Sequence, residues 1–304
     1  MTAFDPLGKL RQVSQAEPKM KFGACNRGER AFVIRPRLPR NALKLCRMEQ
    51  LAQARIVAWQ NASLWLLNTR SPSAEGTPRT GFHSHHAVQI VISLGGQFRL
   101  WLAKEELSAP YIAVAPDAPH RFDAQGAYAI LFVEPESRAG RTIIASTFND
   151  GDLHALPPSS FDGLGPQLAA LGRTPSPTAD ELTQIGGELI EALAGSGHHG
   201  LIDARIRDIV RWAANDHDQP ITLDMAAKIA RLSPSRLSHL FVEQTGLSFK
   251  TYLLWIRLTR AVRLMTEGLT LTAVAHEAGF SDSAHFSRTF RRMFGIAPAN
   301  LTLM

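Results

Sequence analysis

The feature that most constrains the fold is a helix-turn-helix pattern that occurs twice in the C-terminal third of the chain. In the second copy a short apolar helix, Thr272 to Ala278, is followed by Gly279, a residue that tolerates the left-handed backbone at a helix end. Ser281 or Asp282 then caps a second helix. Its apolar side chains recur at helical spacing: Phe286, Phe290, Met293 and Phe294. Small and cationic residues fall on the opposite face: Ala284, Arg288, Arg291 and Arg292.

The first copy occupies residues 222–246 and has the same design. A helix from Thr222 to Ala230 is followed by a turn and by a second helix that Ser233 and Pro234 begin and Gly246 ends. Between the copies the periodicity predicts a long amphipathic helix from Ser248 to Met265. Residues 201–304 are therefore predicted to form an all-α module in which a long helix joins two helix-turn-helix units.

The polar faces of the two second helices suit insertion into the major groove of DNA. Small residues let a helix approach the bases, and Arg can donate two hydrogen bonds to guanine or neutralise a phosphate. A charged face alone is also typical of a solvated surface helix. The repetition of the design favours DNA binding over that simpler interpretation.

Residues 201–298 resemble the DNA-binding module of the AraC/XylS family of bacterial transcription regulators. The family pattern is present as Gly279-Phe280-Ser281-Asp282, Phe286-Ser287-Arg288, Phe290-Arg291 and Phe294-Gly295 with Pro298. The resemblance implies two recognition helices in successive major-groove segments on one DNA face, consistent with the roughly 34 Å groove repeat. The DNA-binding residues expected on these helices are Ser235, Arg236, Ser238, His239, Ser283, Ala284, Ser287, Arg288 and Arg292. The chain departs from the family where Asn300-Leu301-Thr302 replaces an aromatic-basic pair.

Charge divides the chain in the same way as the motifs. The net charge is +6, made up of +7 for residues 1–50, −5 for residues 51–200 and +4 for residues 201–304. A length of 304 residues with 45% hydrophobic content is sufficient for two domains with their own cores. Cys25 and Cys46 form no metal-type or redox-type pair, and we expect free thiols. Without a signal-peptide pattern or a membrane-spanning apolar run, the chain is expected to be cytoplasmic, with no membrane partner.

Residues 1–50 and 166–200 each have two interpretations. The basic N-terminal segment, with Pro18, Pro36 and Pro39, is either a flexible arm or an arm that docks on DNA or on the middle domain. After Pro177 a helical pattern runs through Leu182 and Leu189, and it is either a dimerisation helix or a helix that packs on the middle domain. Residues 195–200 have the composition of a linker.

Residues 51–165 contain short apolar runs bounded by turn residues, which predict a β-sandwich or barrel. On a strand His83, His85 and Gln89 would share one side, and His120 could converge with them from a neighbouring strand. The segment resembles the cupin barrel of AraC-type sensors, with His-x-His, then Gln where metal-binding cupins have Glu, then Gly95-Gly96 and a Pro-x-x-Pro-His turn. These four residues are the candidate effector site.

The chemistry of that candidate site stays open among three alternatives. Three histidines suit a divalent ion such as zinc, copper, nickel or iron, although Gln is a poorer ligand than Glu. Histidines at a barrel mouth also bind organic effectors, or stabilise one another as a structural cluster. Beyond the histidines the sequence shows no phosphate loop, nucleophile elbow or general base, so catalysis is not expected.

The sequence thus predicts an α+β chain of two domains, a cupin-like β-barrel and an all-α DNA-binding module. The expected function is an effector-responsive, sequence-specific transcription regulator that acts as a homodimer on double-stranded DNA and contacts RNA polymerase. The alternative is a cupin metalloprotein or metalloenzyme domain fused to a DNA-binding module.

Overall fold

The structure is a computed structural model that describes residues 52–69, 80–103, 105–161, 163–195, 202–215 and 221–303. The predicted N-terminal arm, residues 1–50, and residues 196–200 of the predicted linker lie outside these ranges. The described residues belong to a single unit that spans Met48–Met304. A sheet domain occupies its N-terminal part and a helical module its C-terminal part, so the predicted α+β class is confirmed.

The sheet domain is built around one long strand, β7. The strands are β1 Ala52–Trp59, β2 Ala62–Thr69, β3 Val88–Ser93, β4 Gln97–Leu102, β5 Glu105–Leu107, β6 Tyr111–Val114, β7 His120–Val133, β8 Leu153–Ala155 and β9 Leu301–Leu303. They pair in the order β8-β6-β3-β7-β2-β1-β9, and β4 pairs with both β5 and β7. The first half of β7, residues 120–125, pairs with β4, whereas residues 126–133 pair with β2.

The predicted closed cupin-like barrel is not confirmed. Within the described ranges the pairing path ends at β8 on one side and at β9 on the other, so the sheet does not close on itself. Both end strands are only three residues long, which limits the length of exposed sheet edge that each presents.

The helices are α1 Arg138–Thr147, α2 Leu164–Arg173, α3 Ala179–Ala194, α4 Ala204–Ala213, α5 Leu223–Ala230, α6 Pro234–Thr245, α7 Phe249–Thr266, α8 Leu271–Glu277 and α9 Ser283–Phe294. Short 3-10 turns span Pro158–Phe161 and Pro298–Asn300. Residues 134–165, which follow β7, contain α1 and β8. The hydroxyl of Ser137 caps α1 by accepting from the Gly140 amide at 2.9 Å.

Helix α3 packs on the sheet domain. Leu182, Ile185 and Leu189, the apolar stripe predicted from the sequence, are buried inside the chain. Gly186 lies so close to Trp59 that a Cβ there would be 2.5 Å from the indole. The stripe therefore serves packing on the sheet, which is one of the two interpretations left open above.

Helices α5 to α9 of the helical module were predicted, whereas α4 was not, and the prediction of an all-α module was wrong at its end, where β9 is a strand. A hydroxyl or carboxylate caps each of α5 to α9: Thr222, Ser233, Ser248, Thr270 and Asp282 accept from the backbone amide three residues later. Gly246 and Gly295 end α6 and α9 with φ of 76° and 74°. Two helix-turn-helix units, α5-α6 and α8-α9, are thus joined by α7. Among the described residues no helix is both long and apolar enough to span a lipid bilayer.

Two sets of backbone hydrogen bonds join the helical module to the sheet domain among the described residues. Strand β9 pairs in parallel with β1, with Leu301 opposite Ala52 and Leu303 opposite Ala54. The amide of Gly81 donates to the carbonyl of Gly295 at 3.3 Å, directly after α9. The end of α9 is therefore attached to the sheet domain by backbone hydrogen bonds as well as by side chains.

Candidate effector site and nucleic-acid interface

Three histidines converge at the start of β7. The backbones of His83 and His120 form an isolated antiparallel bridge, with reciprocal N–H to O distances of 2.9 and 2.8 Å. The ring centroids of His83 and His85 lie 4.3 and 5.0 Å from that of His120. All three side chains are buried, and one ring nitrogen from each lies within 4.8 Å of those of the other two. His83 and His85 lie just before β3 rather than on it, yet they meet His120 as predicted.

Hydrogen bonds define the tautomer of each imidazole. Nδ1 of His83 lies 2.9 Å from the Gly81 carbonyl, and Nδ1 of His120 lies 2.9 Å from the Ala118 carbonyl. Nε2 of His85 lies 2.7 Å from Oε1 of Gln89. A carbonyl oxygen can only accept, so each of these nitrogens carries the proton. The other nitrogen of each neutral ring is left with a lone pair.

The environment keeps the three imidazoles neutral. Burial lowers the pKa of His83 to about 3, and the neighbouring His120 contributes to that shift. Burial also lowers the pKa of His85 and His120. Two of the lone-pair nitrogens, Nδ1 of His85 and Nε2 of His120, are buried without a hydrogen-bond partner. Neutral nitrogens of this kind can bind a cation or accept a hydrogen bond from a ligand.

Gln89, the fourth residue predicted for the effector site, lies beside His85. Its carbonyl oxygen accepts from His85, and its side chain is buried. Gln89 therefore orients His85.

An apolar cavity lies beside the cluster. Its empty volume, including the part open to solvent, is about 680 Å³. Its apolar wall includes Trp65 and Phe132 of the sheet domain and Phe294 and Ile296 of the helical module. Its polar lining includes His83 and Gln89. A ligand in this cavity would contact both parts of the chain.

A second buried cluster, which the sequence did not predict, lies next to the first. His86 lies 2.8 Å from Oδ2 of Asp117 and 2.6 Å from Oε1 of Glu136. Burial acts to lower the pKa of His86, but the hydrogen bonds to these carboxylates raise it to about 9. The imidazole is therefore protonated at neutral pH and pairs with both carboxylates. Its ring lies 6.2 Å from that of Tyr252 and 6.5 Å from that of Trp255, both on α7.

The end of α9 packs directly against the histidine cluster. The Phe294 ring lies 6.4 Å from that of His85 and 5.8 Å from that of Phe132. A Cβ on Gly295 would be 2.5 Å from Cβ of Thr80 and 2.6 Å from Nδ1 of His83. Only a residue without a side chain fits there. No local signal in the sequence indicates this contact, because the family pattern already accounts for a glycine at a helix end.

The residues predicted to bind DNA lie on accessible surface of α6 and α9. Six are exposed and three are half-buried, while the opposite faces of both helices are packed into the core. The exposed residues are Ser235, Arg236, His239, Ala284, Arg288 and Arg292, and the half-buried ones are Ser238, Ser283 and Ser287. All nine are therefore accessible to a partner.

Comparison with known proteins supports this interpretation of the helical module. A family model described as a helix-turn-helix domain matches residues 226–302. The arabinose operon regulatory protein of Escherichia coli K12 is 35% identical over 104 residues, which is 33% of this chain and 35% of that protein. The transcriptional activator RhaS of Klebsiella pneumoniae is 34% identical over 100 residues, 33% of this chain and 36% of that protein. The chain thus spans about a third of the length of the curated relatives it matches.

Solved structures extend the likeness to the sheet domain, at the level of the fold. An apo variant of ToxT from Vibrio cholerae has a TM-score of 0.53, with 13% identity, and the match covers 80% of this chain and 97% of that one. A further structure of ToxT from the same organism has a TM-score of 0.51 at 12% identity, covering 79% and 97% of the two chains. The two helix-turn-helix units and the named relatives identify the C-terminal part of this chain as a DNA-binding helix-turn-helix domain of the AraC type, which is found in transcription regulators.

Proposed function

We propose that the chain is a transcription regulator that binds DNA sequence-specifically through α6 and α9 and changes its DNA affinity when the sheet domain binds a ligand. One observation carries this proposal. The same helix, α9, presents Arg288 to solvent and ends at Phe294 in the wall of the apolar cavity. A ligand of the cavity would therefore touch the helix that we expect to contact the bases.

The DNA-binding half of the proposal assigns roles by side-chain chemistry. Arg236, Arg288 and Arg292 are the proposed donors to guanine or phosphate. The small residues Ser235, Ala284 and Ser287 would let the helices approach the base edges, and Ser238, His239 and Ser283 would complete the contacts. Helices α6 and α9 would enter successive major-groove segments, about one helical turn apart.

The sensing half assigns the effector site to the cavity and to His83, His85, Gln89 and His120, with the sheet domain as a cupin-like sensor. A ligand changes DNA affinity only if it prefers one conformational state. Support comes from the shared wall, because displacement of Phe294 or Ile296 by a ligand would reach α9 directly.

The partners follow from the same role. We propose a homodimer that contacts RNA polymerase on double-stranded DNA, located with the chromosome in the cytoplasm. The relatives are transcription regulators, which favours this function over an enzyme domain fused to a DNA-binding module.

The test is selection of binding sites from random DNA by the full-length chain, followed by footprinting. We expect an asymmetric site with two sequence elements about one helical turn apart. Screening of small molecules and ions against the selected site should then reveal one that changes affinity by roughly 5- to 150-fold. Recovery of DNA without any shared sequence would refute the proposal.

A further inference from the structure

Two ring nitrogens of the histidine cluster have a lone pair that accepts no hydrogen bond. Nδ1 of His85 and Nε2 of His120 are both buried and without a hydrogen-bond partner. Buried polar atoms are nearly always satisfied, so two such acceptors side by side indicate a missing donor or cation. One ring nitrogen from each of the three histidines lies within 4.8 Å of those of the other two, so one ligand could contact all three rings.

The opposite nitrogens have the hydrogen bonds that orient metal-binding histidines. A ligating imidazole almost always donates its other N–H to a carbonyl or carboxylate, which fixes the ring and raises its basicity. Here Gly81, Ala118 and Gln89 supply three such acceptors at 2.7 to 2.9 Å. The cluster therefore has donor atoms and their supporting hydrogen bonds in place together.

We propose that His83, His85 and His120 bind one divalent transition-metal ion, that Gln89 is a positioning residue for His85, and that this ion is the effector. The inference rests on the function proposed above and names the class of its ligand. Three neutral nitrogens favour zinc, copper, nickel, cobalt or iron over magnesium or calcium, which prefer oxygen. Three protein ligands would also leave at least one coordination position open.

The route from the ion to DNA runs through the end of α9. Gly295 leaves no room for a methyl group beside His83, and the Phe294 ring is stacked at 6.4 Å from His85. An ion that fixes the imidazoles would also fix the surface on which α9 ends. Occupancy of the site would thereby change the preferred position of the helix that carries Arg288.

The first test uses the full-length chain, freed of metal with a chelator and titrated with Co²⁺, whose visible absorption reports nitrogen coordination. We expect one Co²⁺ per chain, displaced by Zn²⁺, with binding abolished in His85→Ala and His120→Ala. The matched control is His154→Ala, which removes an imidazole on β8 that contacts the Gly151 carbonyl and the Phe148 ring, outside the cluster, and this variant should bind as the wild type does.

Gln89 supplies a second test that a general packing defect would not reproduce. Gln89→Leu keeps the approximate size of the side chain but removes the acceptor, and we expect 10- to 100-fold weaker Co²⁺ binding. Gln89→Glu restores an acceptor and should restore binding. Circular dichroism shows whether each variant folds. If a histidine variant does not fold, the visible absorption of Co²⁺ bound to the wild type still tests nitrogen coordination.

The third measurement separates this inference from the proposed function. We expect the ion to change the affinity of the wild type for its selected DNA site at least about 5-fold. Absence of Co²⁺ binding, unchanged binding in both histidine variants, or ion binding without an effect on DNA affinity would each overturn the inference. Specific DNA binding that responds to an organic molecule instead would overturn the inference but leave the proposed function in place.

Discussion

The ring of Phe294, the last residue of α9, lies 5.2 Å from the indole of Trp65 in β2. The Phe294 ring also packs against that of Phe290 in its own helix, with the ring centroids 4.6 Å apart. One run of aromatic side chains therefore leads from the core of the second helix-turn-helix unit into the sheet domain. Because protein interiors are close-packed, a displacement at one end of such a run is felt at the other.

Replacing Phe294 with Ala should destabilise the folded chain by about 3–5 kcal/mol, the usual cost of removing a buried phenyl ring. Urea unfolding followed by tryptophan fluorescence measures this, and Trp65 and Trp255 lie close enough to report the change. Phe82→Ala is the matched control, since that ring is 57% exposed and its loss should change stability by less than about 0.5 kcal/mol. Equal effects of the two substitutions would contradict the packing described here.

Gly246→Ala and Gly295→Ala form a second matched pair. Both glycines end a second helix with nearly the same positive φ, so both substitutions should cost about 1–2 kcal/mol for the backbone alone. A Cβ at Gly246 meets nothing within 4 Å, whereas one at Gly295 would collide with Thr80 and His83. We therefore expect the larger loss of stability for Gly295→Ala, measured by urea unfolding. Similar losses of stability in the two variants would show that the end of α9 is not closely packed against the sheet domain.

Arg288→Ala should weaken binding to the selected DNA site by about 1–3 kcal/mol and relax the sequence preference at one position, if the guanidinium binds a base. Fluorescence anisotropy at one fixed salt concentration provides the measurement, because phosphate contacts make affinity depend on salt. Arg173→Ala removes the same charge from an exposed position at the end of α2 and should have little effect. Unchanged affinity and preference in Arg288→Ala would remove this residue from the proposed contacts.

His86→Ala should destabilise the fold by about 3–5 kcal/mol, because it leaves Glu136 as a buried carboxylate without its partner. The Glu136 side chain is only 3% exposed, whereas that of Asp117 is 43% exposed. Asp117→Ala should therefore cost much less, since His86 keeps its bond to Glu136. Thermal unfolding of the two variants distinguishes them, and the reverse order of stability would refute the assignment of Glu136 as the main partner.

Local sequence signals were sufficient for helices α5 to α9. The caps Thr222, Ser233 and Asp282 act on amides three residues away, so the information lies within a single helical turn. The apolar stripe of α9 likewise follows from spacing, and the four residues predicted for it are buried. Such signals are local, and no tertiary contact overrides them here.

Contacts between segments that lie far apart in the chain could not be predicted from the sequence. Glu136, which binds His86, lies 50 residues later in the chain, after β7, and no spacing rule connects the two residues. The spacing of Gln89 from the histidines was sufficient to predict that it belongs to the site. Its hydrogen bond to His85 depends on the side-chain conformation, which spacing does not define. Strand β9 has three residues, too few for a periodic pattern, and it forms where the chain departs from the family at Leu301.

The parallel pairing of β9 with β1 has a practical consequence for dissecting this protein. If residues 202–303 are removed, the edge of β1 loses Leu301–Leu303 and exposes unpaired N–H and C=O groups. The isolated sheet domain would also lose Phe294 and Ile296 from the wall of its cavity. The sheet domain therefore depends on the helical module to cover the edge of β1 and to complete the cavity wall. Without the module, the sheet domain should self-associate through the exposed edge of β1. Ligand measurements on that domain alone would therefore describe a different pocket from the one in the intact chain.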